Sequence, residues 1–123
     1  MARAWTAVVA VVVKDRQRSK RFFRDKVGMK VLHDWGHWVV MGDKRRGAQL
    51  HLCQMREFDP KFPMEKGNTG ILILTDQNIE RAYKRMKSKG VKFVAPPKKE
   101  EWGWNCVFKD PDGNEFWLMP HEK

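Results

Sequence analysis

The stretch KDPDGNEFWLM, residues 109–119, settles the fold. Its first half is turn chemistry: Pro111 fixes φ at one corner, Gly113 takes the positive φ of the other, and Asp110, Asp112 and Asn114 can hydrogen-bond nearby backbone. Its second half, Glu115–Met119, reads as a strand. A hairpin follows in which Lys109 pairs with Glu115, Val107 with Trp117 and Asn105 with Met119. Paired residues share a face, so Asn105, Val107, Trp117 and Met119 form one surface, and Cys106 and Phe108 face a helix on the other.

The hairpin closes the second of two similar halves. VVVKD, ending at Asp15, is echoed by LILTD, ending at Asp76. An aromatic residue stands seven positions beyond each aspartate, Phe22 and Tyr83. Gly28-Met29-Lys30-Val31-Leu32 is echoed by Gly90-Val91-Lys92-Phe93-Val94. The chain therefore reads as one domain of two modules, about 1–59 and 68–123, joined over about 60–67. Each module begins with an apolar strand, Thr6–Val13 or Gly70–Thr75. The aspartate that follows is an expected helix N-cap. The helix then shows a narrow apolar stripe: Phe22, Phe23 and Val27, or Ile79, Ala82, Tyr83 and Met86. Gly28 or Gly90 ends it in the left-handed conformation. Three strands complete each module, near Lys30–His33, His37–Met41 and Gln49–Gln54 in the first and Val91–Ala95, Asn105–Lys109 and Glu115–Met119 in the second.

Two βαβββ units, an aspartate after each first strand, Ser19-x-x-Phe22-Phe23, Gly28, and Trp102-Gly103 ahead of DPDGN together resemble the vicinal oxygen chelate superfamily of glyoxalases, bleomycin-resistance proteins and extradiol dioxygenases. The resemblance implies an α+β fold: an eight-stranded, cup-shaped mixed sheet, helices outside, the ligand inside, and pairing as a homodimer. It also implies a divalent metal held by side chains from the first and last strand of each module. Here those positions are Val8, His51, Thr69 and Trp117. Only His51 has ligand chemistry, and one imidazole is not a site. His51 with Glu115 is the fallback pair for a displaced ion.

The expectation is therefore a cup without a metal, lined by indole and aliphatic groups. Val8, Ala10, Val12, Thr69, Ile71 and Ile73 are placed on its inner face, with Trp35, Trp38, Trp102 and Trp104 at the rim, Val107 and Trp117 inside, and His51 and Asn105 as polar anchors. Such a surface suits a planar or aromatic small molecule. The resulting function is sequestration, as in antibiotic-resistance relatives, with no cofactor and no catalytic residue. A metal-dependent lyase, transferase or dioxygenase is the alternative within the superfamily.

The 123 residues carry a net charge of +10, which favours a neutral or anionic ligand over a cationic one. Six Arg and Lys between Arg16 and Lys26 raise a nucleic-acid module as a third reading. Aromatic residues do not alternate with those basics as base stacking requires, and a helix puts most of them in water. The longest apolar run, Ala7–Val13, is too short to span a bilayer, and no leader pattern precedes it, so a cytoplasmic location is expected. Cys53 and Cys106 sit in alternating apolar runs and read as buried hydrophobes.

Overall fold

The computed structural model describes residues 3–4, 6–36, 38–54 and 68–121. The expected joint near 60–67, Trp5 and His37 lie outside them. The chain divides into two compact units, Met1–Met64 and Glu65–Lys123. No helix among the described residues is long and apolar enough to cross a membrane.

The first unit runs β1 (Val8–Val13), α1 (Arg16–Arg21), a π-helical turn (Phe22–Val27), β2 (Lys30–Asp34), β3 (Val39–Asp43) and β4 (Arg46–Gln54). Its sheet order is β1-β4-β3-β2, with β1 and β4 parallel. Asp15 caps α1, its carboxylate accepting from Arg18 N at 3.1 Å. The wider π turn is marked by the bond from Gly28 N to Phe23 O, 3.0 Å. It lets the adjacent Phe22 and Phe23 both bury, edge to face at 5.1 Å. Gly28 ends it at φ 96°. The helix packs on β3 and β4, whose Met41, Leu50 and Leu52 share the buried face with Val11 of β1.

Most of the basic residues of this helix are exposed or half-exposed, as expected, and Arg16 is the buried exception. Its Nε donates to Leu52 O at 3.2 Å and its Nη1 to Gly36 O at 2.5 Å. The guanidinium is thus a strut between α1, β4 and the turn after β2, while its aliphatic stem packs.

The second unit runs β5 (Asn68–Thr75), α2 (Ile79–Ser88), β6 (Lys92–Phe93), β7 (Lys98–Glu100), β8 (Gly103–Lys109) and β9 (Glu115–Pro120). Its sheet order is β5-β9-β8-β6, with β7 also on β8. The short β7 was not expected from the sequence. Asp76 does not cap α2. Asn78 does, accepting from Glu80 N at 2.9 Å and Arg81 N at 3.4 Å. Two residues intervene between Asp76 and the helix start, so the carboxylate is out of reach of the free amides. At the other end Val91 N bonds Met86 O and Gly90 N bonds Lys87 O, with Gly90 at φ 89°, a Schellman motif.

Phe108, Phe116, Cys106 and Leu118 form the buried face of β8 and β9. Tyr83 of α2 meets Phe93 at 4.7 Å, and Phe93 meets Phe108 at 6.2 Å, which ties that face to the helix. Phe108 and Phe116 stack at 5.5 Å, and burying each contributes roughly 1.5–3 kcal/mol.

Candidate functional site

The face of β8 and β9 turned away from α2 carries Val107 and Trp117, paired in register. Asn105 shares it by alternation. The turn between β7 and β8 brings Trp102 to 6.1 Å from Trp117, the rings inclined at 47°. Trp102 is 56% exposed, whereas Trp117 is partly covered. Trp104 alternates with Asn105 and so stands on the opposite face, paired with Lys99.

Asn105 is 5% exposed, and its Nδ2 has no hydrogen-bond partner among the described residues. A buried donor without an acceptor costs roughly 1–3 kcal/mol. Lys98 lies in register with Asn105 and pairs with Glu100 at 3.0 Å in water.

β5 supplies the neighbouring surface, but not through the residues expected. Asn68 pairs with Glu115 and Leu72 with Trp117, so four steps of β5 match two of β9. The extra residues sit at Gly70, whose φ is 73°. A Cβ there would meet nothing within 4 Å, so conformation rather than crowding demands glycine. Downstream of this bulge Ile73 pairs with the buried Leu118 and faces α2, whereas Leu72 and Leu74 join Trp117 and Met119. The inner-face set Thr69, Ile71 and Ile73 is thus corrected to Leu72 and Leu74. These two are 44% and 54% exposed.

In the first unit the face turned away from α1 carries Ala10, Val40 and His51 in one row across the sheet, with His33 beyond Val40. Val8 and Val12 lie on the same face of β1. Trp38 stacks on the His51 ring at 3.8 Å and 32°. Trp35 is 64% exposed, 5.0 Å from the His33 ring. Cys53, two residues beyond His51 on the same strand face, brings Sγ to 3.0 Å from His51 Nδ1. From the sequence both cysteines read only as buried hydrophobes. The signal was present, because a spacing of two within a strand puts both groups on one side. Cys106 differs: burial, with a smaller push from Glu80, raises its thiol to about 12.

The four positions at which the superfamily holds its metal do not make a donor set here. Val8 and Trp117 offer no ligand atom. The Thr69 hydroxyl donates to Glu115 O at 2.8 Å and accepts from Ile71 N at 3.0 Å, so it serves the bulge. His51 is stacked by Trp38 and held against Cys53. Glu115, its fallback companion, sits at the hairpin end beside Asn68 and Lys109. Among the described residues no three His, Cys, Asp or Glu groups are placed to hold one ion.

Two units built on a βαβββ core, the second with the added strand β7, each a mixed sheet with its first strand parallel to its last and one helix on one face, define the glyoxalase-type fold class. The chain belongs to the Glyoxalase/Bleomycin resistance protein/Dioxygenase superfamily, whose model matches residues 5–118. It is 35% identical over 118 residues to the uncharacterized protein YetH of Bacillus subtilis (strain 168), covering 89% of this chain and 92% of that one. A superfamily member from Sphaerobacter thermophilus DSM 20745 has a similar structure, with a TM-score of 0.81, 27% identity, and 96% and 98% of the two chains covered. TnmS3, an antibiotic binding protein from Streptomyces sp. CB03234, superposes with a TM-score of 0.81 at 28% identity, covering 99% of each chain.

Proposed function

We propose that this chain is a small-molecule binding protein that holds a planar, neutral or anionic ligand against indole surface without a metal and without changing it. The observation that carries the reading is the Trp102–Trp117 pair above Val107 on the helix-free face of β8 and β9. Two large rings beside exposed leucines form an apolar surface that costs solvation free energy until something covers it. Inclined indoles, one exposed and one half-covered, suit a flat guest better than a packed core. The likeness to an antibiotic binding protein points the same way. The charge of +10 favours anionic or neutral guests over cations.

The reading includes a homodimer in the cytoplasm. Val8 on edge strand β1 and Leu72 and Leu74 on edge strand β5 are exposed apolar residues that a second copy would cover. Sedimentation at micromolar concentration tests this, and a monomer there removes it.

The binding claim is tested by tryptophan quenching and thermal shift with a panel of planar aromatic acids and neutral polycycles, with and without EDTA. Saturable quenching that EDTA leaves unchanged is expected. Trp117→Ala should weaken the best binder about tenfold, the loss of one stacked ring. Absence of quenching across the panel, or a stoichiometric bound metal in the purified protein, overturns the reading.

A further inference from the structure

Asn105 is out of place as a structural residue. It is buried, and its Nδ2 is closed off from bulk solvent and meets no acceptor among the described residues. By alternation with Val107 it lies on the face of Trp117, not under α2. Leucine is close to asparagine in size and would carry no such cost at that position. An unmet donor on the surface that carries the indoles is explained by a partner that arrives with the ligand.

Resting on the binding reading above, we propose that Asn105 is the specificity-determining residue of this face, and that its Nδ2–H donates to an oxygen acceptor, such as a ring carbonyl, on the planar ligand. The indoles recognise flatness and area, which many compounds share. The amide selects among them, because a hydrocarbon of the same outline leaves the donor unpaired and a carbonyl compound satisfies it. The polarity follows from which atom is enclosed without a partner: Nδ2 is a donor only, so the selected group must accept.

The test uses the full chain and two probes that share outline and charge, 9-fluorenone-2-carboxylate and fluorene-2-carboxylate. They differ by the ring carbonyl. Affinities are read by tryptophan quenching for the wild type and for Asn105→Leu. The wild type should prefer the ketone about tenfold, the discrimination of one buried hydrogen bond. Asn105→Leu should remove that preference by weakening the ketone, leaving the hydrocarbon acid within about twofold. The ligand-free variant should melt no lower than the wild type, because it loses an unmet donor and no side-chain bond seen among the described residues. Equal binding of both probes by the wild type overturns the role of Asn105 and leaves the tryptophan face standing. Binding of neither removes both. A ligand-free Asn105→Leu that melts well below the wild type, or keeps the ketone preference, shows a structural amide and overturns the inference.

Discussion

The two units solve the same folding problem with different residues. Each starts with an edge strand, crosses by a helix that ends at a left-handed glycine, and returns its last strand parallel to its first. Yet Asp15 caps one helix and Asn78 the other. Residue 16 is a buried arginine, whereas Gln77, which follows the corresponding aspartate, is exposed. One helix-free face bears His51 and Cys53 under Trp38, and the other bears Trp117 and Val107 beside Leu72. Parity explains the freedom. The helix-packed residues of each sheet are fixed by burial, while their alternate neighbours take no part in that core and can be exchanged for function.

Substitution at matched positions breaks or sharpens this comparison. The largest difference is expected between Arg16 and Gln77. Arg16→Ala removes the donors to Leu52 O and Gly36 O together with buried stem packing, and should cost about 3 kcal/mol in urea unfolding. Gln77→Ala should stay within about 0.5 kcal/mol. Equal effects would mean that the arginine is no strut. Next come the two hairpin turns. Asp110 accepts from Asp112 N at 2.9 Å, Asn114 N at 2.8 Å and Asn114 Nδ2 at 2.9 Å, and is buried. Asp110→Ala should cost roughly 1–3 kcal/mol through the donors it strands. Asp43, which accepts from Arg45 N at 2.9 Å, lies in a more open turn, and Asp43→Ala should cost less. The caps rank third. Asp15→Ala and Asn78→Ala should each cost about 1 kcal/mol, and Asp76→Ala a few tenths at most. A large Asp76 effect would restore the symmetric capping expected from the repeat.

These contrasts also show how far the sequence could be read. The repeat, the glycine stops and the hairpin register from Lys109–Glu115 to Val107–Trp117 were legible because each is dictated locally, by turn chemistry and alternation. The Asn78 cap was hidden because Asp76 is an equally good capping residue, and only the position of the first helical turn separates them. The face of β5 was misread because its inner residues were counted back from Asp76 in parallel with Val8 and Asp15, whereas the register sets Leu72, not Ile73, beside Trp117. At the site, Trp117 and Asn105 were placed by the hairpin, while Trp104 was left on the rim without a side. The structure puts it across the sheet from Asn105. The burial of Arg16 carried no signal, since its partners are carbonyls distant in sequence.

The smallest expected effect sets the two units against each other in their response to acid. In the first unit the Lys20 ammonium at 2.7 Å and Gly36 N hold the Asp34 carboxyl below the usual aspartate value. Backbone donors from Arg18 and Arg45 do the same for Asp15 and Asp43. A folded value below the unfolded one contributes stability that is present above the ordinary aspartate value and is lost as pH falls through the lowered one. Asp110 in the second unit has the opposite sign. Burial pushes its carboxyl up, against the pull of the Asn114 and Asp112 donors. Its contribution is present below the ordinary value and is lost as pH rises through the raised one. Acidification below the ordinary aspartate range should therefore loosen the amides of α1 and the β3–β4 turn before those around Asp110, as amide hydrogen exchange would show. The three first-unit carboxylates are exposed and screened, so each effect is slight. Lys20→Met should shrink the acid loss near Asp34 alone, and an unchanged exchange profile in that variant would show that the pair contributes nothing to the difference between the units.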